Sequence, residues 1–258
     1  MQNENMFAEE RKIKIVEFIQ EHKKATVGDL CDKFSVSSAT IRNDLRDLEH
    51  SGAIIRTHGG AIVKSKAGFE LTSKQKKVRS SAEKKRVAER AVELIEDGDT
   101  IILDTGTTTL ELARLMGRRR NVTVVTNDII IAAVLEEIEN IHTIFMGGVV
   151  RKGFHCTVGA AGKAMLEKLT VDKAFMGVNA LSFEKGATTP DLQHADTKRM
   201  MTSIAEKVFI LCDSSKLGRS AFAQFATLEE IDTIVIDAIG EKDTKRFEDD
   251  GIEVIIAD

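Results

Sequence analysis

Two kinds of hydrophobic spacing follow one another along the chain. Between Glu9 and Glu21, Ile13, Ile15, Val16, Phe18 and Ile19 leave an apolar stripe at helical spacing, which predicts a first helix. Thr26 opens a second helical stretch with Val27, Leu30, Cys31 and Phe34 on one side, and a short Ser-Val-Ser connection leads to a third. In that third helix Ile41, Leu45 and Leu48 follow the i, i+4, i+7 spacing of a buried seam. Ser37 is placed to cap its first turn, and Gly52 stands where a helix ends in the left-handed conformation. Beyond it, AIIRTHGGAIV holds two short β-prone runs around a His-Gly-Gly turn, the pattern of a small hairpin or wing.

From Gly98 onward the period changes. TIILD, VTVVT, IHTIFM, KAFMGV, KVFILCD, TIVID and EVIIA are short apolar runs, separated by helical stretches such as TTLELARLM, IIIAAVLEEI, AAGKAMLEKL and ADTKRMMTSIAEK. Near-continuous apolar strands predict a sheet buried on both faces, hence a mainly parallel α/β domain. The expected organisation is a winged helix-turn-helix over residues 1–63, a basic linker over 64–79 and an α/β domain over 80–258. The linker reads as a short extended segment feeding a helix from about Ala82 to Ile95, capped by Ser80 or Ser81, with Val87, Ala88, Ala91, Val92 and Ile95 as its apolar side.

Composition narrows the function classes. The 258 residues, 42% hydrophobic and 30% charged with a single proline, are those of an ordered globular chain. No apolar run approaches the roughly 20 residues that span a bilayer, and the N-terminus lacks the apolar core of a signal peptide, so a cytoplasmic protein is expected. Cys31, Cys156 and Cys212 are too few and too far apart for a disulfide framework or a zinc cage, which leaves buried reduced thiols, no metal and no cofactor as the expectation. The net charge of −4 is unevenly spread: residues 1–63 hold 9 basic and 10 acidic side chains, 64–90 hold 10 and 3, and 91–258 hold 18 and 28. A basic connector joined to an acidic body points to a polyanionic partner for the front of the chain; its lysines can add phosphate contacts or merely keep the linker solvated.

The third helix offers DNA as that polyanion, the alternatives from its residues alone being a solvated surface helix or a winged module that binds protein. Opposite the buried seam fall Ala39, Arg42, Asn43 and Arg46, the side-chain set that a DNA major groove calls for: Arg for guanine or phosphate, Asn for adenine, Ala beside a thymine methyl. Ser37, Ser38 and Thr40 at the helix start suit phosphate contacts, and the wing carries Arg56 and His58 toward the backbone or minor groove. Double-stranded operator DNA is the expected partner, read by a homodimer or homotetramer on paired half-sites.

In a parallel α/β sheet ligands sit at the carboxyl ends of the strands. The first such end, Asp104-Thr105-Gly106-Thr107-Thr108-Thr109, offers hydroxyls and N–H groups at a helix start, an anion cradle without the ending of a Walker loop; the alternative is a capped turn with no ligand. Further strand ends add Thr126, Asn127 and Asp128, Gly147 and Gly148, Asn179, and Asp213 with Lys216, each of which taken singly can also be a helix cap or tight turn. Lysine and glycine N–H groups can oppose a phosphate there while Asp or Asn holds hydroxyls, whereas Lys198 and Arg199 lie within a helix and can equally form surface pairs.

Arg11, Ile15, Ile19, Ser37, Thr40, Ile41, Arg42, Asn43, Asp44 and Leu45, followed by SGAIIRTHGGA, resemble the winged helix-turn-helix of the DeoR family of bacterial transcription regulators. The resemblance continues through Asp104-Thr105-Gly106-Thr107-Thr108, Val125-Thr126-Asn127, Gly147-Gly148, Gly177-Val178-Asn179, Gly186-Ala187-Thr188-Thr189, Lys198-Arg199-Met200 and Asp213-Ser214-Ser215-Lys216. It implies an effector domain similar to ribose-5-phosphate isomerase, and a repressor of sugar metabolism relieved by a phosphorylated sugar. Asn179-Ala180-Leu181 departs from the family, which more often has glycine after the asparagine. The competing reading is a sugar-phosphate isomerase with an accessory DNA-binding module. The similar isomerases carry acidic residues where this chain reads Gly177-Val178-Asn179-Ala180-Leu181-Ser182, all neutral; Asp104 and Asp213 remain as possible bases, with nothing to pair them in sequence.

Overall fold

A computed structural model describes residues 7–50, 53–63, 70–78 and 80–258. Two compact units meet between residues 79 and 80.

The first unit runs α1 (Ala8–His22), β1 (Lys24–Thr26), α2 (Val27–Phe34), α3 (Ser38–His50), β2 (Ile54–Thr57), β3 (Gly60–Val63) and α4 (Ser73–Val78). Local chemistry sets these boundaries. Asp29 N donates to Thr26 Oγ1 while Thr26 N donates to Asp29 Oδ2, a capping box that starts α2. Thr40 N donates to Ser37 Oγ, so Ser37 caps α3 as its position predicts. Gly52, the expected stop, lies outside the described residues. Ile15, Val16, Ile19, Leu30, Ile41, Leu45, Leu48 and Ile54 close one small core.

Two features depart from the sequence reading. The wing has three strands, because β1 pairs with β3 alongside the β2–β3 hairpin. A Cβ on Gly60 would stand 2.2 Å from the Ala25 carbonyl, so only glycine lets these backbones meet. The expected extended linker contains a helix, α4: Gln75 N and Thr72 Oγ1 bond at 3.4 Å and start a turn that the lysine-rich composition concealed. The remainder of the linker, residues 64–69, lies outside the described residues.

The second unit comprises α5 (Ser81–Val92), β4 (Thr100–Leu103), α6 (Thr107–Leu115), β5 (Val122–Thr126), α7 (Ile129–Glu136), β6 (Ile141–Phe145), β7 (Val149–Arg151), β8 (Cys156–Val158), α8 (Ala160–Leu166), β9 (Val171–Gly177), β10 (Ala180–Ser182), β11 (Gly186–Thr189), α9 (Leu192–Ser203), β12 (Ala205–Cys212), β13 (Ala223–Ala226), β14 (Thr233–Ile236), α10 (Glu241–Asp249) and β15 (Glu253–Ile256). Seven strands form one parallel sheet in the order β15-β14-β12-β9-β4-β5-β6. Its alternating side chains supply two cores: Ile101, Leu103, Val124, Phe175 and Leu211 against α5, α6 and α7, and Ile102, Val125, Ala174, Met176 and Ile210 against α8, α9 and α10. Small antiparallel additions, β10-β11-β13 and the hairpin β7–β8, were not expected from the sequence.

Ser80 precedes α5 in a left-handed conformation and makes no side-chain cap, and the helix stops at Val92 rather than Ile95, although the expected apolar side is fully buried. Helix α9 begins at Leu192, because Asp191 caps it by accepting from His194 N at 2.8 Å, and Ala205–Lys207 belong to β12 rather than to the helix. Cys156 and Cys212 are buried free thiols, whereas Cys31 is half-buried. Burial and neighbouring carboxylates push the Cys212 thiol far above its ordinary range.

One ion pair anchors the first unit. Arg11 donates to Asp44 from Nε at 2.7 Å and from Nη2 at 3.3 Å, tying α1 to α3 with Asp44 only 5% and Arg11 12% exposed. Nearby, Lys12 pairs at 2.6 Å with Asp47, which is 59% exposed. Asp44→Ala should lower the unit's stability by about 3 kcal/mol, because it strands a buried guanidinium, and Asp47→Ala by about 1 kcal/mol or less. Chemical denaturation of both variants measures the difference; equal losses would show that burial does not set the strength of these pairs.

Candidate functional site

On α3 the two faces separate cleanly. Ile41, Leu45 and Leu48 are buried, and Ala39, Arg42, Asn43 and Arg46 are exposed. The buried face also holds Asp44, whose carboxylate is engaged by Arg11. Arg42 Nη1 lies 3.5 Å from Ser38 Oγ, one turn earlier, and Ser37 Oγ and Thr40 Oγ1 bond to each other at 2.9 Å. Arg56 pairs with Glu49 at 3.7 Å, so a polyanion must compete for it, and His58 is exposed at the wing turn.

In the second unit every strand of the main sheet runs the same way, so Asp104, Thr126, Asn127, Gly147, Gly148, Asn179 and Asp213 all lie at one edge. The chain order gives that edge a focus. After β4 the chain adds β5 and β6 on one side, and it then returns to place β9, β12, β14 and β15 on the other. The switch point lies between β4 and β9, where open α/β sheets form their binding crevice.

Asp104 ends β4 at this point and is sealed from solvent. Its Oδ2 accepts from Gly177 N at 3.0 Å and from Lys198 Nζ, and Lys198 also donates to the Gly177 carbonyl at 2.9 Å. Lys198 is therefore buried, not a surface residue; Arg199, one step round the helix, is the one that forms surface bonds, to Asp196 and to the Gln224 carbonyl. His194 Nε2 stands 3.9 Å from Asp104 Oδ1, an oxygen with no hydrogen-bond partner among the described residues. Burial pushes the Asp104 carboxyl above its ordinary range, against the opposing pull of Lys198 and the Gly177 N–H. Thr189 Oγ1 bonds Asn179 Oδ1 at 3.0 Å and stands 3.4 Å from His194 Nδ1, which brings Asn179 into the same cluster.

Beside it, Thr105 Oγ1 donates to Asp128, which also caps α7 through Ile130 N and Ile131 N. Burial raises the Asp128 carboxyl and these donors oppose the rise. Asn127 Nδ2 donates to the Thr157 carbonyl at 2.9 Å, and its buried Oδ1 has no partner among the described residues. At the start of α6, Thr108 and Thr109 are buried, Thr107 is half-buried, and Thr109 Oγ1 donates back to the Gly106 carbonyl at 3.1 Å.

The remaining predicted residues stand further out. Asp213, two strand spacings or roughly 10 Å from Asp104, caps the turn at Ser215, and Lys216 Nζ is 3.9 Å from its carboxylate. Gly147 and Gly148 follow β6 on the opposite flank; a Cβ on Gly148, at φ 152°, would stand 2.6 Å from the Val158 carbonyl, so this glycine seats the β7–β8 hairpin. His194 belongs to the central cluster and was not predicted as a site residue; Thr105, Asp128 and Thr189 stood in the strand-end stretches without an individual role. The i, i+4 spacing of His194 and Lys198 was the signal available for His194.

Among the described residues no group of three or more His, Cys, Asp and Glu is arranged to hold a metal ion, and no helix is long and apolar enough to cross a membrane.

Residues 11–67 match the family described as the DeoR-like helix-turn-helix domain, and residues 79–238 match the DeoR C-terminal sensor domain. The transcriptional regulator GlpR of Haloferax volcanii is 39% identical, over 97% of this chain and 98% of its own. The transcriptional repressor GlcR of Bacillus subtilis is 34% identical, over 98% of both chains. A putative aga operon repressor of Escherichia coli O157:H7 is 34% identical, over 96% of this chain and 93% of its own. The solved structure of ribose 5-phosphate isomerase A from Methanocaldococcus jannaschii aligns with a TM-score of 0.41 at 22% identity, covering 54% of this chain and 55% of that one. Regulators thus match from end to end, through both the DNA-reading unit and the sensor unit, and the chain belongs to the DeoR family of transcription regulators rather than to the isomerases.

Proposed function

We propose that the protein is a cytoplasmic repressor of a sugar-metabolism operon, and that a phosphorylated sugar bound at the carboxyl edge of the sensor sheet lowers its affinity for operator DNA. The observation that carries this reading is the pairing, in one chain, of an exposed Ala39-Arg42-Asn43-Arg46 face with a strand-end cluster whose buried acceptors, Asp104 Oδ1 and Asn127 Oδ1, have no hydrogen-bond partner among the described residues. Asp104 Oδ1 and Asn127 Oδ1 end adjacent strands and suit sugar hydroxyls as donors; the N–H groups at the start of α6, with Lys216, suit the phosphate. Names of relatives support the repressor assignment, one being a putative aga operon transcriptional repressor and another the transcriptional repressor GlcR.

In this scheme two copies present their α3 helices to half-sites about 34 to 36 Å apart. Ser37, Ser38, Thr40, Arg56 and His58 meet phosphates, and Arg42, Asn43 and Arg46 read base edges with Ala39 beside a thymine methyl. The effector must bind the DNA-free state more tightly, by about 1 to 3 kcal/mol for a coupling of ordinary size. A thermal-shift panel of phosphorylated sugars and their unphosphorylated counterparts, repeated with operator DNA, tests the whole scheme: an effector stabilises the protein and weakens DNA binding.

Arg42→Ala should cost operator binding about 1 to 3 kcal/mol, roughly tenfold to a hundredfold, with an unchanged melting curve. Unchanged affinity in a gel-shift titration would remove α3 from the groove. Thr107→Ala/Lys216→Ala should bind operator as wild type does but lose the response to phosphosugar; a normal response would place the phosphate elsewhere. Lys198→Met leaves the Asp104 carboxylate buried without its cation and should destabilise the sensor unit by about 3 to 5 kcal/mol. A buried carboxyl with a raised folded-state pKa contributes stability below its ordinary unfolded value, and that contribution is lost as pH rises through the folded value. The Lys198→Met deficit should therefore be larger at neutral than at mildly acid pH; urea melts at the two pH values decide it, and a pH-independent deficit would mean that lost packing, not charge, is the cause.

A further inference from the structure

The β7–β8 hairpin carries three basic residues, Arg151, Lys152 and His155, within five positions, none of them among the site residues considered so far. It is fastened along the carboxyl edge: Thr157 N donates to the Asn127 carbonyl at 2.9 Å, Ile129 N to the His155 carbonyl at 2.8 Å, and Thr105 Oγ1 to the Phe154 carbonyl at 3.4 Å. The last contact ties the hairpin to the loop that leads into Gly106 and Thr107. The Arg151 guanidinium carbon lies 3.8 Å from the centre of the Phe154 ring, a cation–π contact that holds the group over the hairpin's own aromatic side chain. Arg151 Nη2 stands 3.6 Å from Asp191 Oδ2, with the two side chains 17% and 35% exposed. At that separation the contact between these two atoms is a long ion pair rather than a hydrogen bond.

We propose that Arg151 is a ligand for the effector phosphate, and that the phosphate dianion displaces Asp191 from it. This rests on the carboxyl edge being the phosphosugar site and adds to it a residue on a different element, the hairpin. Chemistry favours the exchange. A phosphate monoester brings up to two negative charges and three acceptor oxygens to a planar fork of donors, where Asp191 brings one charge at a long distance. Asp191 loses little when Arg151 leaves, because its other oxygen accepts from His194 N at the start of α9, where the helix dipole stabilises a carboxylate. The same helix carries His194 and Lys198 onto Asp104, so the exchange alters the charge at the head of the element that closes the switch point.

Isothermal titration of the full chain with inorganic phosphate, and with phosphorylated and unphosphorylated sugars, tests the assignment in wild type, Arg151→Gln and Asp191→Asn. Arg151→Gln should weaken phosphate binding by about tenfold or more, the equivalent of at least about 1.4 kcal/mol. Asp191→Asn removes the competitor while keeping a cap-forming side chain, and should tighten binding by roughly threefold. Melting curves show that both variants are folded, and a gain of affinity in Asp191→Asn cannot come from misfolding. If the pair were only a structural latch, breaking it from either side would move affinity in the same direction; that result, or phosphate binding unchanged in Arg151→Gln, overturns the proposal. Should wild type bind a phosphorylated sugar normally while Arg151→Gln does too, only the Arg151 assignment falls. Wild type that binds neither phosphate nor any phosphorylated sugar overturns the phosphosugar reading and this proposal together.

Discussion

The ammonium of Lys198 meets the carboxylate of Asp104 where the two halves of the sensor sheet join, and much of the second unit is arranged around that contact. One half of the sheet, β4-β5-β6, touches the other, β9-β12-β14-β15, only along β4 and β9, through Ile101, Ile102 and Leu103 paired with Lys173, Ala174 and Phe175. Both ends of this short seam are clamped by polar groups. At the carboxyl end Lys198 bridges Asp104 and the Gly177 carbonyl. At the amino end Lys173 pairs with Asp99 at 2.7 Å and Thr100 N donates to Asp172 at 2.7 Å. The two clamps differ in kind: the amino-end pair reaches solvent, whereas neither Asp104 nor Lys198 does, and a buried pair that loses one partner costs far more than an exposed one.

The first unit solves a smaller version of the same problem. Its helices α1, α2 and α3 share a small core of about a dozen side chains. Arg11 gripping Asp44 sets the turn of α3 about its own axis, and that rotation decides which residues face outward. The exposed row Ala39, Arg42, Asn43 and Arg46 is thus a consequence of the buried row Ile41, Asp44, Leu45 and Leu48. A carboxylate in the middle of the inward face selects one rotation in a way that three aliphatic side chains cannot, since sliding the helix by one residue would strand its charge.

Periodicity made the larger pattern legible before any coordinates. The strands of the parallel sheet coincide with the seven apolar runs, because a strand buried on both faces has no choice but to be apolar throughout. The α3 faces follow from a 100° step applied to Ile41, Leu45 and Leu48. What escaped the sequence depends on partners far apart along it. Strand β1 is three residues long and exists because β3 lies beside it; the linker helix α4 is hidden by lysines that do not reveal an apolar side. Lys198 was open in the sequence to a site role or a surface pair, and its burial is intelligible only once Asp104, 94 positions away, is seen beneath it. Asn179 was placed at a strand end, but its bond to Thr189 required the small sheet β10-β11-β13 that no alternation announced.

Magnitudes also indicate which contacts can carry a signal. A coupling of about 1 to 3 kcal/mol between effector and operator needs an element whose two states differ by no more than that. The Asp104–Lys198 pair is too costly to break, at about 3 to 5 kcal/mol, and so serves as a fixed floor for the site. Contacts at the rim are looser: Lys216 with Asp213 at 3.9 Å, Arg151 with Asp191 at 3.6 Å and Arg86 with Asp237 at 4.0 Å are ion pairs too long for a hydrogen bond, and in each the cation keeps some exposure to solvent. Asp213 follows β12 and Asp237 follows β14, while Arg151 ends β7 of the hairpin. On the proposed reading, an anion bound at this edge rearranges the Lys216 and Arg151 pairs while the buried pair beneath stays intact, so that a rigid sheet registers a small ligand without unfolding.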